Sequence, residues 1–183
     1  MTTISCISGS LREGSHSQKA LQRAMALLES HGEKPKLIDL RTMNLPFCNG
    51  EDKYPEYPDV EHLRQAVAET QGLILCSPEY HGGISGVLKN TLDLLDYSQI
   101  RNKYVGIISI LGGGSSFNAV NSLTQTCHHL HAWVIPRPVI ITHADTAFNH
   151  DGNFAHSDHE ERLNALVLEL INAVNKGNNN PEK

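Results

Sequence analysis

The sequence predicts a doubly wound α/β sandwich, a parallel sheet with helices on both faces, and three observations predict it. Short apolar runs of strand composition alternate along the chain with segments of helical periodicity. The run Gly72-Leu73-Ile74-Leu75-Cys76 is apolar almost throughout, as a strand covered on both faces of a parallel sheet must be. Three polar or glycine-rich loops, at residues 10–17, 78–83 and 109–116, each follow an apolar run and lead into a helical one. In open parallel sheets such loops gather at the carboxyl ends of the strands, where ligands bind.

The elements follow in order. Residues 4–7 read as the first strand, and Ala20, Leu21, Ala24, Leu27 and Leu28 place the apolar stripe of the first helix. His31-Gly32 stops that helix, glycine being favoured just past a helix end. Residues 36–40 alternate as a second strand. Residues 41–58, rich in Pro, Asn and Gly and carrying Tyr54 and Tyr57, form a long loop of the kind that is usually functional or mobile. Asp59 is expected to cap a helix running through Thr70, with Val60, Leu63, Ala66 and Val67 on one face. The third strand covers residues 72–76, and a helix is expected over about 85–96. Residues 105–111 give a fourth strand, followed by Gly112-Gly113-Gly114-Ser115-Ser116 and a helix to about His131. Val134-Ile135 and Val139-Ile140-Ile141 make a fifth strand broken by Pro136-Arg137-Pro138. A last helix is expected over about 158–176, with a frayed tail at 177–183.

A chain of 183 residues fits one domain, 1–183, by its size. A net charge of −5 argues against nucleic-acid and anionic-membrane surfaces, which need a basic face. No apolar run is long enough to span a membrane, and the start MTTISCIS lacks the basic residues of a secretory signal. Cys6, Cys48, Cys76 and Cys127 form no C-x-x-C pair, and Cys6 and Cys76 lie inside strand-like runs where a buried thiol is expected. A reducing cytoplasm is the compartment this pattern suits.

The first loop carries the clearest chemistry. A strand that breaks into Ser8-Gly9-Ser10-Leu11-Arg12-Glu13-Gly14-Ser15-His16-Ser17 and then enters a helix makes an anion site, because backbone N–H groups and the helix dipole both point there. Ser10, Ser15 and Ser17 add hydroxyl donors, and Arg12 can fork onto a phosphate with two parallel bonds. Capping alone accounts for one serine, Ser15 or Ser17. It does not account for three serines with two glycines and an arginine among them.

With the three loops placed, the chain resembles the NAD(P)H-dependent FMN reductase family. Gly9-Ser10-Leu11-Arg12-Glu13-Gly14-Ser15 is similar to that family's G-S-x-R-x-x-S loop. Pro78-Glu79-Tyr80-His81-Gly82-Gly83-Ile84-Ser85-Gly86-Val87-Leu88-Lys89-Asn90 is similar to its P-E-Y-N-x-x-x-x-x-x-L-K-N signature, with His81 where asparagine is usual. The stretch His129-Leu130-His131-Ala132-Trp133-Val134-Ile135-Pro136 also has the family's look. The resemblance implies a flavodoxin-like three-layer sandwich with five parallel strands in the order 2-1-3-4-5. It implies FMN as cofactor and NAD(P)H as co-substrate. Ser10, Arg12, Ser15 and Ser17, with His16 among them, would hold the FMN phosphate. Pro78, Glu79, Tyr80, His81 and Gly82 would line one side of the flavin ring, mainly through backbone groups, and Ser109, Gly112 and Gly113 would border the other. The third loop departs from the family's usual hydroxyl-and-glycine spacing. The implied reaction has two steps: nicotinamide passes a hydride to the flavin, then a quinone, a free flavin, chromate, an azo dye or another small acceptor takes the electrons. No catalytic side chain is implied, because the cofactor carries the chemistry. A homodimer or homotetramer is implied, with the helix around residues 87–95 at the interface. Packing of its leucines against the sheet is the competing reading.

Other classes fit less well. A flavodoxin-type electron carrier, without a substrate of its own, is the alternative; carriers tend to be strongly acidic and to sandwich flavin between aromatics, and aromatics make up only 5% here. Gly112-Gly113-Gly114-Ser115-Ser116-Phe117 lacks the third glycine of G-x-G-x-x-G, and no G-K-[ST] follows any glycine loop. Gly83-Ile84-Ser85-Gly86-Val87 lacks the last glycine of a nucleophile elbow. His128, His129 and His131 lie near a helix end, where the dipole alone favours them, without a carboxylate or cysteine at zinc-site spacing. His143, His150, His156 and His159 read as solvent-exposed groups on a polar loop.

Overall fold

The computed structural model describes residues 2–178. Five parallel strand positions form the sheet. They are β1 (Thr3–Ser8), β2 (Lys34–Ile38), β3 (Gly72–Tyr80), β5 (Tyr104–Ile110) and a last position shared by β6 (Trp133–Val134) and β7 (Val139–Ile141). The spatial order is β2-β1-β3-β5-β6, with β7 continuing beside β5, which is the 2-1-3-4-5 order of flavodoxin-type sheets. The reversal of strand order lies at the β1/β3 boundary, so the carboxyl ends of those strands open a crevice.

Strand pleating sorts the core into two layers. Ile4, Cys6, Ile74, Cys76, Ile108 and Ile110 face α1 (His16–Ser30) and α7 (Ser157–Asn178), where Leu21, Leu28, Leu163, Leu166 and Leu170 complete one cluster. Ile7, Leu73, Leu75, Val105 and Ile107 face the opposite layer of α2 (Pro58–Ala68), α3 (Gly86–Asp93) and α5 (Asn118–His129). Each fully buried Leu or Ile contributes roughly 1.5–3 kcal/mol relative to exposure. Leu88 and Leu92 of α3 belong to this second layer, so core packing accounts for them.

Local chemistry moves several element ends from their expected places. α2 begins at Pro58, whose fixed φ and missing N–H suit the first helical position, and Tyr57 stands at the cap. Asp59 therefore does not cap this helix. Its carboxylate accepts the Asn44 N–H at 2.7 Å, and that bond, with the bond to His62, holds the carboxyl below the usual carboxylate range. The segment after α3 turns at Leu94 and restarts as α4 (Tyr97–Ile100), set by a capping box between Asp96 and Gln99. β2 ends at Ile38, and Leu40–Thr42 form a 3-10 turn capped by Asp39. α7 extends through Asn178; of the expected frayed tail, 179–183 lie outside the described residues. The break at Pro136 and Pro138 splits the last strand position as the sequence suggests.

Candidate functional site

A cleft of about 380 Å³ opens at the carboxyl ends of β1, β3 and β5, within the range of small-ligand pockets. Its floor and walls are Ser10, Arg12, Ser15, His16, Ser17, Pro78, Glu79, Tyr80, Ile110, Gly112, Ala144 and Asp145.

The first wall is the loop entering α1. Ser15 is its N-cap: its backbone is extended, and its hydroxyl accepts the Gln18 N–H at 3.2 Å. That leaves the Ser15 O–H to donate elsewhere. Ser10, Ser15 and Ser17 are 4%, 2% and 2% exposed, so these residues are packed in place before any ligand arrives. The loop is anchored where Gly9 donates to the Cys76 carbonyl at 2.8 Å. A Cβ at Gly9 would stand 2.4 Å from Ser85 Oγ and 2.8 Å from Leu88 Cβ, so only glycine fits there. Gln18 Nε2 donates to the Ser10 carbonyl and Arg41 donates to Gln18, tying the loop after β2 to this wall.

The second wall is the end of β3. The strand continues past the apolar run through Pro78, Glu79 and Tyr80, then folds back as the two-residue strand β4 (Gly83–Ile84). His81 and Gly82, with φ of 51° and 75°, form the turn, both in the left-handed region as a two-residue hairpin requires. Asparagine and histidine are both enriched in that region, so the backbone explains why His81 can stand where asparagine is usual. The Glu79 carboxylate turns to the start of α5 and accepts the Ala119 N–H at 3.0 Å, which joins this wall to the helix after the third loop. At the far end of the signature, Asn90 accepts the Cys48 N–H at 2.9 Å and donates to the Pro46 carbonyl at 2.8 Å. The long loop is thus pinned to α3 by the Asn90 amide, and Cys48 Sγ also donates to the Asp93 carbonyl at 3.3 Å.

The third wall is Gly112 with Ile110 and the short helix α6 (Ala144–Ala147). His143, at φ 47°, donates its N–H to the Gly113 carbonyl at 3.0 Å, and Ala144 donates to the Leu111 carbonyl at 3.0 Å. Asp145 Oδ1 lies 3.3 Å from His16 Nε2, and the His16 ring stacks on Phe148 at 5.7 Å between centroids.

Nine of the residues singled out from the sequence thus line one cleft: Ser10, Arg12, Ser15, His16, Ser17, Pro78, Glu79, Tyr80 and Gly112. His81 and Gly82 lie at the exposed hairpin tip, and Gly113 is exposed at the rim. Ser109 is fully buried on the other side of the sheet, because pleating alternates faces and Ile110 is the β5 residue that reaches the cleft. Ser109 Oγ has no hydrogen-bond partner among the described residues. Ala144 and Asp145 are additions. A four-residue helix entered through a left-handed histidine has no period and no composition cue, so nothing in the sequence marked it.

Burial pushes the thiols of Cys6 and Cys127 up to about 12 and that of Cys76 higher still, which keeps them protonated and inert at neutral pH. His159 is partly buried against Phe154, and desolvation lowers its pKa.

A family model described as NADPH-dependent FMN reductase matches residues 2–147. An NADPH azoreductase from Bacillus sp. (strain OY1-2) is 37% identical over 136 residues, covering 74% of each chain. An FMN-dependent NADPH-azoreductase from Staphylococcus aureus (strain USA300) is 27% identical over 175 residues, 92% of this chain and 93% of that one. Among solved structures, the flavoenzyme NAD(P)H:(acceptor) oxidoreductase FerB from Paracoccus denitrificans superposes with a TM-score of 0.81 at 22% identity, covering 96% of this chain and 98% of that one.

Proposed function

This chain belongs to the NADPH-dependent FMN reductase family, and from that premise we propose that it passes reducing equivalents from NAD(P)H through FMN to a small acceptor such as a quinone or a free flavin. FMN is its cofactor and NADPH its co-substrate. The observation that carries the reading is the convergence of three loops, from separate parts of the chain, on one cleft with a helix N-terminus at its base.

The residues present fit the cofactor. The buried Ser10, Ser15 and Ser17, the first N–H groups of α1 and the exposed Arg12 beside them offer a donor set for a phosphate. Pro78, Glu79 and Tyr80 on one wall and the open backbone at Gly112 on another leave room for a flat ring system between them. When bound, FMN supplies acceptance of a hydride from nicotinamide and release of the electrons to the acceptor. The chain's own part is to bind and orient: Ser10, Arg12, Ser15 and Ser17 would hold the phosphate, and Pro78, Glu79, Tyr80, Ile110, Gly112 and Ala144 line the space where the ring would lie. No side chain is assigned a proton-transfer step. The chain is further read as a homodimer or homotetramer, as its family resemblance implies. A cytoplasmic location suits its four unpaired thiols.

The test is the visible spectrum of the purified protein, followed by anaerobic NADPH and a panel of quinones, flavins and azo dyes. Flavin bands that bleach with NADPH and recover with an acceptor support the reading. Bands that bleach only with dithionite replace it with the electron-carrier alternative. A colourless protein that takes up no added FMN overturns it.

A further inference from the structure

We infer that Asp145 is a counterweight to the flavin phosphate: by holding His16 and placing a negative charge at the cradle, it weakens retention of the phosphorylated flavin and so keeps it exchangeable. The inference rests on the flavin reading of the cleft and adds to it a residue that sets affinity.

Four observations support this role. Asp145 lines the same cleft as the donor set, and its Oδ1 stands 3.3 Å from His16 Nε2. Its backbone is fixed, since the helix that carries it is tied to the glycine loop through His143 to Gly113 and Ala144 to Leu111. His16 stacks against Phe148, and the residue whose Nε2 meets Asp145 also lines the cleft beside Ser15 and Ser17. The other carboxylate of the cleft, Glu79, is engaged by the Ala119 N–H at the start of α5. Arg12 is the guanidinium in this lining and Asp145 the carboxylate without a backbone donor. An arriving phosphate therefore meets a like charge at Asp145 and competes with it for the His16 ring. Both costs fall on the phosphate alone, because the flavin ring carries no such charge.

The test titrates FMN and riboflavin, which lacks the phosphate, into the deflavinated full-length chain and follows flavin fluorescence. Wild type is compared with Asp145→Asn and Asp145→Ala. The Asp145 side chain is 91% exposed, so the effect is that of a partly screened charge: both variants should bind FMN about two- to fivefold more tightly at low ionic strength. The gain should shrink as salt rises, and riboflavin affinity and the unfolding temperature should stay unchanged. FMN affinity that does not rise, or a rise shared equally by riboflavin, overturns the role given to Asp145 while leaving the flavin site standing. Failure of wild type to bind either flavin removes both the site and the counterweight.

Discussion

The loop entering α1 and the loop after β5 line one cleft, yet they are built very differently. In the first, Gly9 is wedged between Ser85 and Leu88, Ser15 caps the helix, and three hydroxyls are almost wholly buried. In the second, Gly112, Gly113 and Gly114 have open space where a side chain would go, and all three are exposed. A wall set before binding loses little entropy when it takes an invariant group such as a phosphate. A wall with open space around it can admit partners of different shape. The contrast matches a reaction in which one ligand is constant and a second one varies.

Three substitutions would sharpen or break this comparison. Gly9→Ala should cost the most. Its methyl would collide with Leu88 Cβ and displace Ser85 Oγ from the Leu88 N–H that it caps, so chemical denaturation should show a loss of about 3 kcal/mol. A loss below about 1 kcal/mol would mean that α3 yields and the wall is softer than its packing indicates. Arg12→Ala should weaken FMN binding by roughly 1–3 kcal/mol, the scale of a charge-assisted bond, with little effect on unfolding because the residue is exposed. Flavin affinity that survives this change intact would remove Arg12 from the cradle. Gly113→Ala should matter least, within about 0.5 kcal/mol for both unfolding and FMN affinity. A larger loss of affinity in that variant would show the second loop closing on the ligand.

Legibility in the sequence followed the same divide. The apolar strand runs and the helical period of the first helix could be read directly, the strand order came through the family resemblance, and the serine-rich loop could be read from residue type. The capping box of Asp96 and Gln99 was also present as a signal and marks α4, whereas the helix expected over about 85–96 took Asp96 as its end. Pro58 likewise marks the start of α2 better than Asp59 does. The β3–β4 hairpin was harder, because Pro78 and a two-residue return strand give no alternating pattern. Ser109 was placed at the flavin by its neighbourhood in the chain, whereas strand parity sends it to the opposite face. Asp145 depends on the left-handed backbone at His143, and residue type at that position does not announce it.

The broken last strand has a consequence for how this protein meets other chains. A sheet ends in rows of unpaired N–H and C=O groups that can template a foreign strand. Here Pro136 and Pro138 interrupt one margin between β6 and β7, and Arg137 there is engaged by Glu169 at 2.7 Å. The opposite margin, β2, reads Lys34-Pro35-Lys36, with a missing donor flanked by two charges. Both margins are thus closed to strand addition, which protects a chain with so apolar a centre from edge-to-edge aggregation. Helix faces and loops are then the surfaces left most open to assembly.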